Sequence, residues 1–427
     1  MPKSLQTMHL IVFSTILTPR IKYIFSFIFK DILKAEVEFT GNKNYFLENE
    51  NFKISYGEEP LANELFFKQT HLLFSNKLDE FKIKTISFGE YQAPFPVKNS
   101  ALPFDVFAAS FFILSRYEEY WFQNTSTEDF KASKSHQHKW KILDKPIIDE
   151  WALIIKNMIK KNEPNFKFQE KKFTQQPTLN LNFTPIAPKG FVKKTKYIFS
   201  SVFSKNNGFI NAQYDKITGV GINNERVLAE VQINMSKHNL NPIYFLGFPN
   251  SSIDYIINDV ISNLLANNSV GLLRPCAQEK QKVSDIKTDL SKLKKILPDQ
   301  INLSSQQLEI LKFPICYLNL LSAGITSDYS MGYADTPSFR AGTCTPFNWY
   351  DLQLEKVTPL NVKSYCITDS VLQYMNFDDA KQTILFCSDA VNVVNGSFYS
   401  SWTLRSLSDN LKYKKLKTLF SLIFNQN

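Results

Sequence analysis

Pro177-Thr-Leu-Asn-Leu-Asn-Phe183 decides how the second half of this 427-residue chain is read. Side chains two apart in a strand share a face. The stretch therefore turns Leu179 and Leu181 to one side and Asn180 and Asn182 to the other. Further strand-like runs follow at 242–247, 270–273 and 316–320. Helical patterns lie between them, including 252–266 and 284–297. A later helix at about 378–394 ends on Asn395-Gly396, a left-handed stop. Strands alternating with helices predict a parallel α/β sheet or barrel.

The first half reads as mixed α/β. A strand near 9–15 leads into a helix at 19–33, with Thr18 as N-cap and Pro19 at its first position. The apolar run His9–Leu17 is too short to cross a bilayer. Short strand-like and turn-rich pieces continue to about residue 100. Phe104-Asp-Val-Phe-Ala-Ala-Ser-Phe-Phe-Ile-Leu-Ser-Arg-Tyr-Glu-Glu-Tyr-Trp121 predicts one helix with a thick apolar face. Gln123–Lys139 reads as an exposed polar loop, and a helix follows at 147–160. Lysines and prolines between 161 and 177 mark a boundary, giving domains 1–170 and 171–427. That boundary lacks a Gly/Ser tether, so the halves are expected to pack together. The helix 104–121 would dock on the second half, with Arg116 and the adjacent glutamates at the rim.

Composition narrows the function. At 44% hydrophobic and 14% aromatic, the chain is globular. The net charge of +9 does not signal nucleic acid. The lysines of Ser284–Leu297, for example, form the wet side of a helix whose Ile286, Leu290, Leu293 and Leu297 face inward. No phosphate-cradling loop, dinucleotide fingerprint, serine elbow or zinc-finger spacing occurs. The cysteines are Cys276, Cys316, Cys344, Cys366 and Cys387. Their odd number, without a CxxC, predicts buried free thiols in a reducing compartment, hence a cytoplasmic protein.

Phe104-Asp-Val-Phe-Ala-Ala-Ser-Phe, Ser115-Arg-Tyr-Glu-Glu-Tyr120 and Pro146-Ile-Ile-Asp-Glu-Trp151 resemble the N-terminal domain of a bacterial group found mainly in Bacteroidetes. In that group the domain of unknown function precedes a polysaccharide deacetylase-like (NodB-homology) domain. Asp328-Tyr-Ser-Met-Gly-Tyr-Ala334 and Phe339-Arg-Ala-Gly-Thr343 resemble its second-half signatures. The resemblance implies a deformed (β/α) barrel over 171–427 and metal-dependent carbohydrate deacetylation. A divalent metal such as zinc, held by one Asp and two His, would activate water, with an Asp base and a His acid.

Carried over position by position, the motifs are altered. The family's Thr-x-Asp-x-Asp is Thr178-Leu-Asn180-Leu-Asn182 here. Its Gly-Leu-His-Pro-Ser falls on Gly271-Leu-Leu273-Arg-Pro275. Its Arg-Gln-His falls on Ser305-Gln-Gln307, and its Trp-His on Trp402-Thr403. No histidine follows His238. Arg340 is retained, and Asp369 matches the acidic residue that usually supports it. The five altered positions are expected to converge at the C-terminal ends of the barrel strands.

The implied protein is a catalytically degenerate deacetylase-like one, with no metal, no cofactor and no catalytic residue assigned. It would bind glycan or act as a scaffold in cell-surface carbohydrate metabolism, beside glycan or cell-envelope biosynthesis proteins. Two alternatives stay open: an active deacetylase or hydrolase with a displaced site, and a structural or partner-binding protein. Plainer readings stand beside these. Arg340 serves loop carbonyls rather than a substrate. Asp369 caps a helix or turn rather than supporting Arg340. Arg116, Glu118 and Glu119 form a local ion-pair network at a domain interface. His136 and His138 sit in a solvated loop, and His9, His71 and His238 are satisfied core or surface residues.

Overall fold

The structure is a computed structural model that describes residues 9–125, 130–181, 224–247, 259–266, 268–274, 282–297, 301–306 and 311–423. The first half holds a four-stranded parallel sheet in the order β2-β1-β3-β4. Its strands are β1 (Leu10–Phe13), β2 (Val37–Thr40), β3 (Phe52–Gly57) and β4 (Leu65–Lys68). Helix α1 (Pro19–Ser26) starts as its sequence dictates. Thr18 Oγ1 accepts from the Ile21 amide, and Pro19 occupies a position that needs no donor. The helix then widens into a π-helical segment over Phe27–Ile32. Helix α2 (Lys43–Glu48) joins β2 to β3, and a hairpin of β5 (Thr85–Phe88) and β6 (Tyr91–Pro94) follows β4.

The expected helix 104–121 is two helices, α3 (Val106–Leu114) and α4 (Tyr117–Thr125). The break is Arg116, whose φ of 57° is left-handed, a conformation rare for a residue with a Cβ. All nine residues of α3 are buried. The polar stretch after α4 is not an exposed loop throughout. Within it α5 (His136–Lys139) forms, and Gln137 and Ser135 are fully buried. Helix α6 (Ile147–Asn162) closes this half.

The second half is built on a nine-stranded sheet, order β12-β13-β11-β10-β9-β8-β7-β15-β14. In chain order these are β7 (Thr174–Leu181), β8 (Ile243–Gly247), β9 (Ser269–Arg274), β10 (Leu303–Gln306) and β11 (Ser327–Met331). Then come β12 (Phe347–Asp351), β13 (Lys356–Ser364), β14 (Ile367–Thr368) and β15 (Ser397–Thr403). Every neighbouring pair is parallel except β12 with β13.

The connectivity forces this sheet to curl. Only Tyr365 and Cys366 join β13 to β14. In a flat sheet those strands would lie roughly 34 Å apart, at about 4.8 Å per strand. Two linking residues reach only about 11 Å. Ring contacts agree, because Tyr329 on β11 and Tyr399 on β15 have centroids 6.1 Å apart across the concave face. Ile243, Phe245, Leu273, Tyr329, Tyr365 and Tyr399 form one apolar cluster there. Gly271 makes room for it, since a Cβ would lie 2.5 Å from the Phe245 ring.

Residues 316–320, expected as a strand, belong to the helix Ile315–Ser322. A short continuous apolar run is compatible with either a buried strand or a buried helix. The helix expected at 284–297 runs Val283–Ile296, and that at 378–394 runs Phe377–Val393. Of the helix expected at 252–266, Asp259–Leu265 is described and 252–258 lie outside the described residues. The chain leaves the helix Phe377–Val393 through Asn395 at φ 51°.

One hydrophobic core runs through both halves. At its centre Glu119 accepts from Arg116 Nε at 2.8 Å, and from Arg340 Nε at 3.0 Å and Nη2 at 2.6 Å. These three side chains are at most 1% exposed, so the expected rim contact is instead the middle of the interface. Arg116 also donates to the Arg340 carbonyl, to Gln137 Oε1 at 2.8 Å and to the Tyr333 hydroxyl at 3.0 Å. Asp149 on α6 takes Thr343 Oγ1 and Thr345 Oγ1, each at 2.5 Å, and the Cys344 amide at 3.2 Å. Gly342 lies against α3 with φ 65°, and a Cβ there would meet Ile113 at 2.6 Å.

Burial alone would raise the Glu119 pKa, but the two guanidinium groups outweigh it and hold it below its ordinary 4.5. Its contribution to stability is therefore present above that pH and lost as pH falls through the folded-state value. Glu119→Gln should lower the unfolding free energy by about 3–5 kcal/mol at neutral pH, since it leaves two buried cations short of a counter-charge. Urea denaturation should show the gap to wild type narrowing in acid. A wild-type midpoint at pH 7 would contradict this. In the wild type, limited proteolysis should not cut 161–177 to release two soluble halves.

Candidate functional site

The altered positions that are described lie toward the C-terminal ends of adjoining strands. Asn180 is the penultimate residue of β7 and pairs in register with Thr403, the last of β15. It also pairs with Phe245 on β8. Leu273 pairs with Gly247, two residues further along β8. Asn182 and Gln307 lie outside the described residues.

Asn180 is 7% exposed on the concave side. Its Nδ2 donates to Ser401 Oγ at 3.2 Å, while its buried Oδ1 has no hydrogen-bond partner among the described residues. A buried acceptor left unpaired costs about 1–3 kcal/mol. Thr403 donates to Asp369 Oδ2 twice, from its amide at 2.8 Å and its hydroxyl at 2.6 Å. Burial pushes the Asp369 carboxyl up, against hydrogen bonds from Ser406, Thr403 and Ser370 that favour its charged form. Leu273, 2% exposed, is part of the aromatic cluster that fills the concave face.

These donors do not suit a divalent metal. Asn180 offers a neutral amide oxygen, Thr403 a hydroxyl whose proton is committed to Asp369, and Leu273 a hydrocarbon. Tight metal sites are built from carboxylate, imidazole or thiolate ligands.

The carboxylate on Arg340 is Glu119, not Asp369, which is bonded to Thr403. Arg340 also donates to the Gly332 carbonyl at 2.8 Å and stacks over Tyr333, 4.8 Å to the ring centroid. It is a buried arginine that ties the second half to Glu119 and Arg116 of the first. Glu118 accepts from His136 Nδ1 and from its amide, both at 2.7 Å, so His136 is bound rather than solvated. His138 is exposed. His9 approaches Glu38 at 3.3 Å, and His238 Nδ1 lies 2.9 Å from the Asn234 carbonyl. His71 is exposed. Cys344, Cys366 and Cys387 are buried free thiols, Cys316 is partly exposed, and Cys276 lies outside the described residues.

Two arrangements escaped the sequence reading. On the convex face Asp328 is fully buried, accepting from Ser304 Oγ at 2.6 Å, from Ser330 Oγ at 3.0 Å and from Arg274 Nη2 at 3.4 Å. Asp328 had stood out only as part of a string. Lys363 on β13 donates to Asn361 Oδ1 at 2.8 Å and Ser327 Oγ at 3.2 Å, with its ammonium 4.9 Å from the Tyr329 ring centroid. Burial pulls its pKa down to about 8. A polar lysine in an alternating strand gives no sequence signal of facing inward.

Residues 10–164 match the model of a family described as "Family of unknown function (DUF7033)". No curated protein matches the chain. Among solved structures, it resembles a Mycobacterium smegmatis protein provisionally titled a polysaccharide deacetylase. That resemblance has 9% identity and a TM-score of 0.37, and covers 61% of this chain and 87% of the other.

Two stability measurements check the concave face. Leu273→Ala should cost about 2–5 kcal/mol, because it opens a cavity among rings that cannot fully collapse. An unchanged urea midpoint would mean the cluster is not packed. Lys363 binds its proton less readily folded than unfolded, so the fold gains stability as pH rises from about 8 through the ordinary lysine range. Lys363→Met lacks that gain. Its midpoint relative to wild type should therefore be higher at pH 7 than at pH 10, and a pH-independent difference would contradict the burial of the ammonium.

Proposed function

We propose that the second half is a polysaccharide deacetylase-like shell that has lost metal-dependent hydrolysis and binds an N-acetylated glycan at the C-terminal end of its curled sheet. The sequence strings around Asp328–Ala334 and Phe339–Thr343 support the family reading. The observation that carries the rest is Asn180, a largely buried carboxamide whose oxygen has no hydrogen-bond partner among the described residues, where the resembled motif has a carboxylate. A carboxamide cannot serve as a general base at neutral pH, yet it accepts a hydrogen bond well. The N–H of an acetamido group is a donor of the right kind. Thr403 and Asp369, held to one another beside it, are occupied and stay where they are. Hydrolysis would need a base, a metal and an acid together, and the residues at the matching described positions supply none of these.

Calorimetric titration with N-acetylglucosamine tetramer in the presence of a chelator tests the reading. Saturable binding without acetate release is expected, weakened at least tenfold by Asn180→Leu. Acetate release by the wild type that the chelator abolishes would overturn the loss of catalysis. Undetectable binding to the wild type would overturn the glycan role and favour a structural one.

A further inference from the structure

The first half contains a concave site unrelated to the barrel. It is a trough of about 470 Å³ between the single-turn helix His71–Phe74, the extended segment 79–84 and the turn at Phe95–Pro96. That volume falls within the roughly 300–1,000 Å³ of small-molecule sites. Its walls are largely apolar, made by Leu72, Phe81, Ile83 and Phe95, with Tyr117 beneath them.

The walls are held in place. The Tyr117 hydroxyl accepts from the Asp79 amide at 3.1 Å and donates to the Lys77 carbonyl at 3.0 Å. The Phe81 ring packs edge-on against Trp121 at 5.4 Å and lies 6.1 Å from both Tyr117 and Phe95. Phe95 itself sits at φ 60°, a backbone conformation rare for a bulky residue, and its ring forms part of the wall.

The rim carries more positive than negative charge. Lys82 and Lys84 are exposed, line the trough, and make no ion pair with any described residue. Asp79 is the single acidic side chain among the lining residues. Alternation in the extended segment explains the arrangement, with Phe81 and Ile83 half-buried while Lys82 and Lys84 reach into water. An apolar trough of this size would be a liability if nothing covered it. Two free ammonium groups at its mouth favour an anionic head on whatever does.

We propose that this trough binds an amphipathic anion, an apolar chain carrying a phosphate head, with the chain between Phe81, Ile83 and Phe95 and the head at Lys82 and Lys84. The proposal is independent of the barrel, because the trough lies wholly within the first half.

Dodecyl phosphate, kept below its micellar concentration, is the probe, and its binding to the full chain is followed by calorimetry. One saturable site is expected. The exposed double variant Lys82→Glu/Lys84→Glu should weaken it at least tenfold while keeping the wild-type circular dichroism. Ile83→Arg should abolish it, and dodecanol should bind at least tenfold more weakly. Sedimentation with phosphatidate-containing vesicles then separates two sources of the same chemistry. Co-sedimentation that Lys82→Glu/Lys84→Glu abolishes indicates a lipid in a membrane, and binding of the monomeric probe alone indicates a soluble amphiphile. No binding of dodecyl phosphate, or equal binding to the charge-reversed variant, would overturn the proposal.

Discussion

The structure depends on one buried carboxylate. Glu119 answers two guanidinium groups at once, Arg116 from its own half and Arg340 from the other. Arg116 has a second, longer pairing with Glu118 at 3.5 Å, and burying a charge without a counter-charge in a protein interior costs several kcal/mol. The backbone bends to accommodate these contacts. Arg116 takes a left-handed conformation between two helices, and that break aims its side chain at the Arg340 carbonyl and at Tyr333. The two halves are therefore joined through this shared carboxylate.

This gives a physical reason for some of the strings that stand out in the sequence. Residues from several of these strings meet at this interface: Phe111 packs on Tyr350, Arg116 and Glu119 reach Arg340 and Tyr333, and Gly342 lies against Ile113, Ile147 and Ile148. Asp149 gathers two threonine hydroxyls and an amide from across it. Gly342 is small because α3 leaves no room for a side chain. Asn180 and Thr403 lie on the other side of the sheet, where the surrounding packing does not demand a carboxylate or an imidazole.

The sequence was most legible where a local rule acts without competition. Thr18 and Pro19 start a helix because they satisfy or remove amide donors, and Asn395 ends one because it tolerates a left-handed backbone. The alternation of Leu179 and Leu181 with Asn180 gave the strand and its two faces. Long-range contacts defeated the rest. Nothing local says that Arg116 breaks a helix, because its reason is Arg340, far along the chain. The run Ile315–Ser322 has no periodicity to separate a strand from a helix. Strands β11 and β12 carry Asp, Ser, Asn and aromatic residues that suit a curled, two-sided sheet but match no simple alternation. The sequence left two readings of Asp369 open and did not point to Glu119 as the partner of Arg340, because Glu119 lies in the other half of the chain.

At the mouth of the curled sheet, the function proposed above rests on neutral hydrogen bonding in place of a metal. Asn180, Thr403 and Leu273 present an amide, a committed hydroxyl and a hydrocarbon where a metal would need anionic or imidazole donors. Elemental analysis of protein purified without chelator tests this most directly. The account predicts zinc and other divalent transition metals far below one per chain. Near-stoichiometric metal that disappears in Asn180→Ala would contradict it.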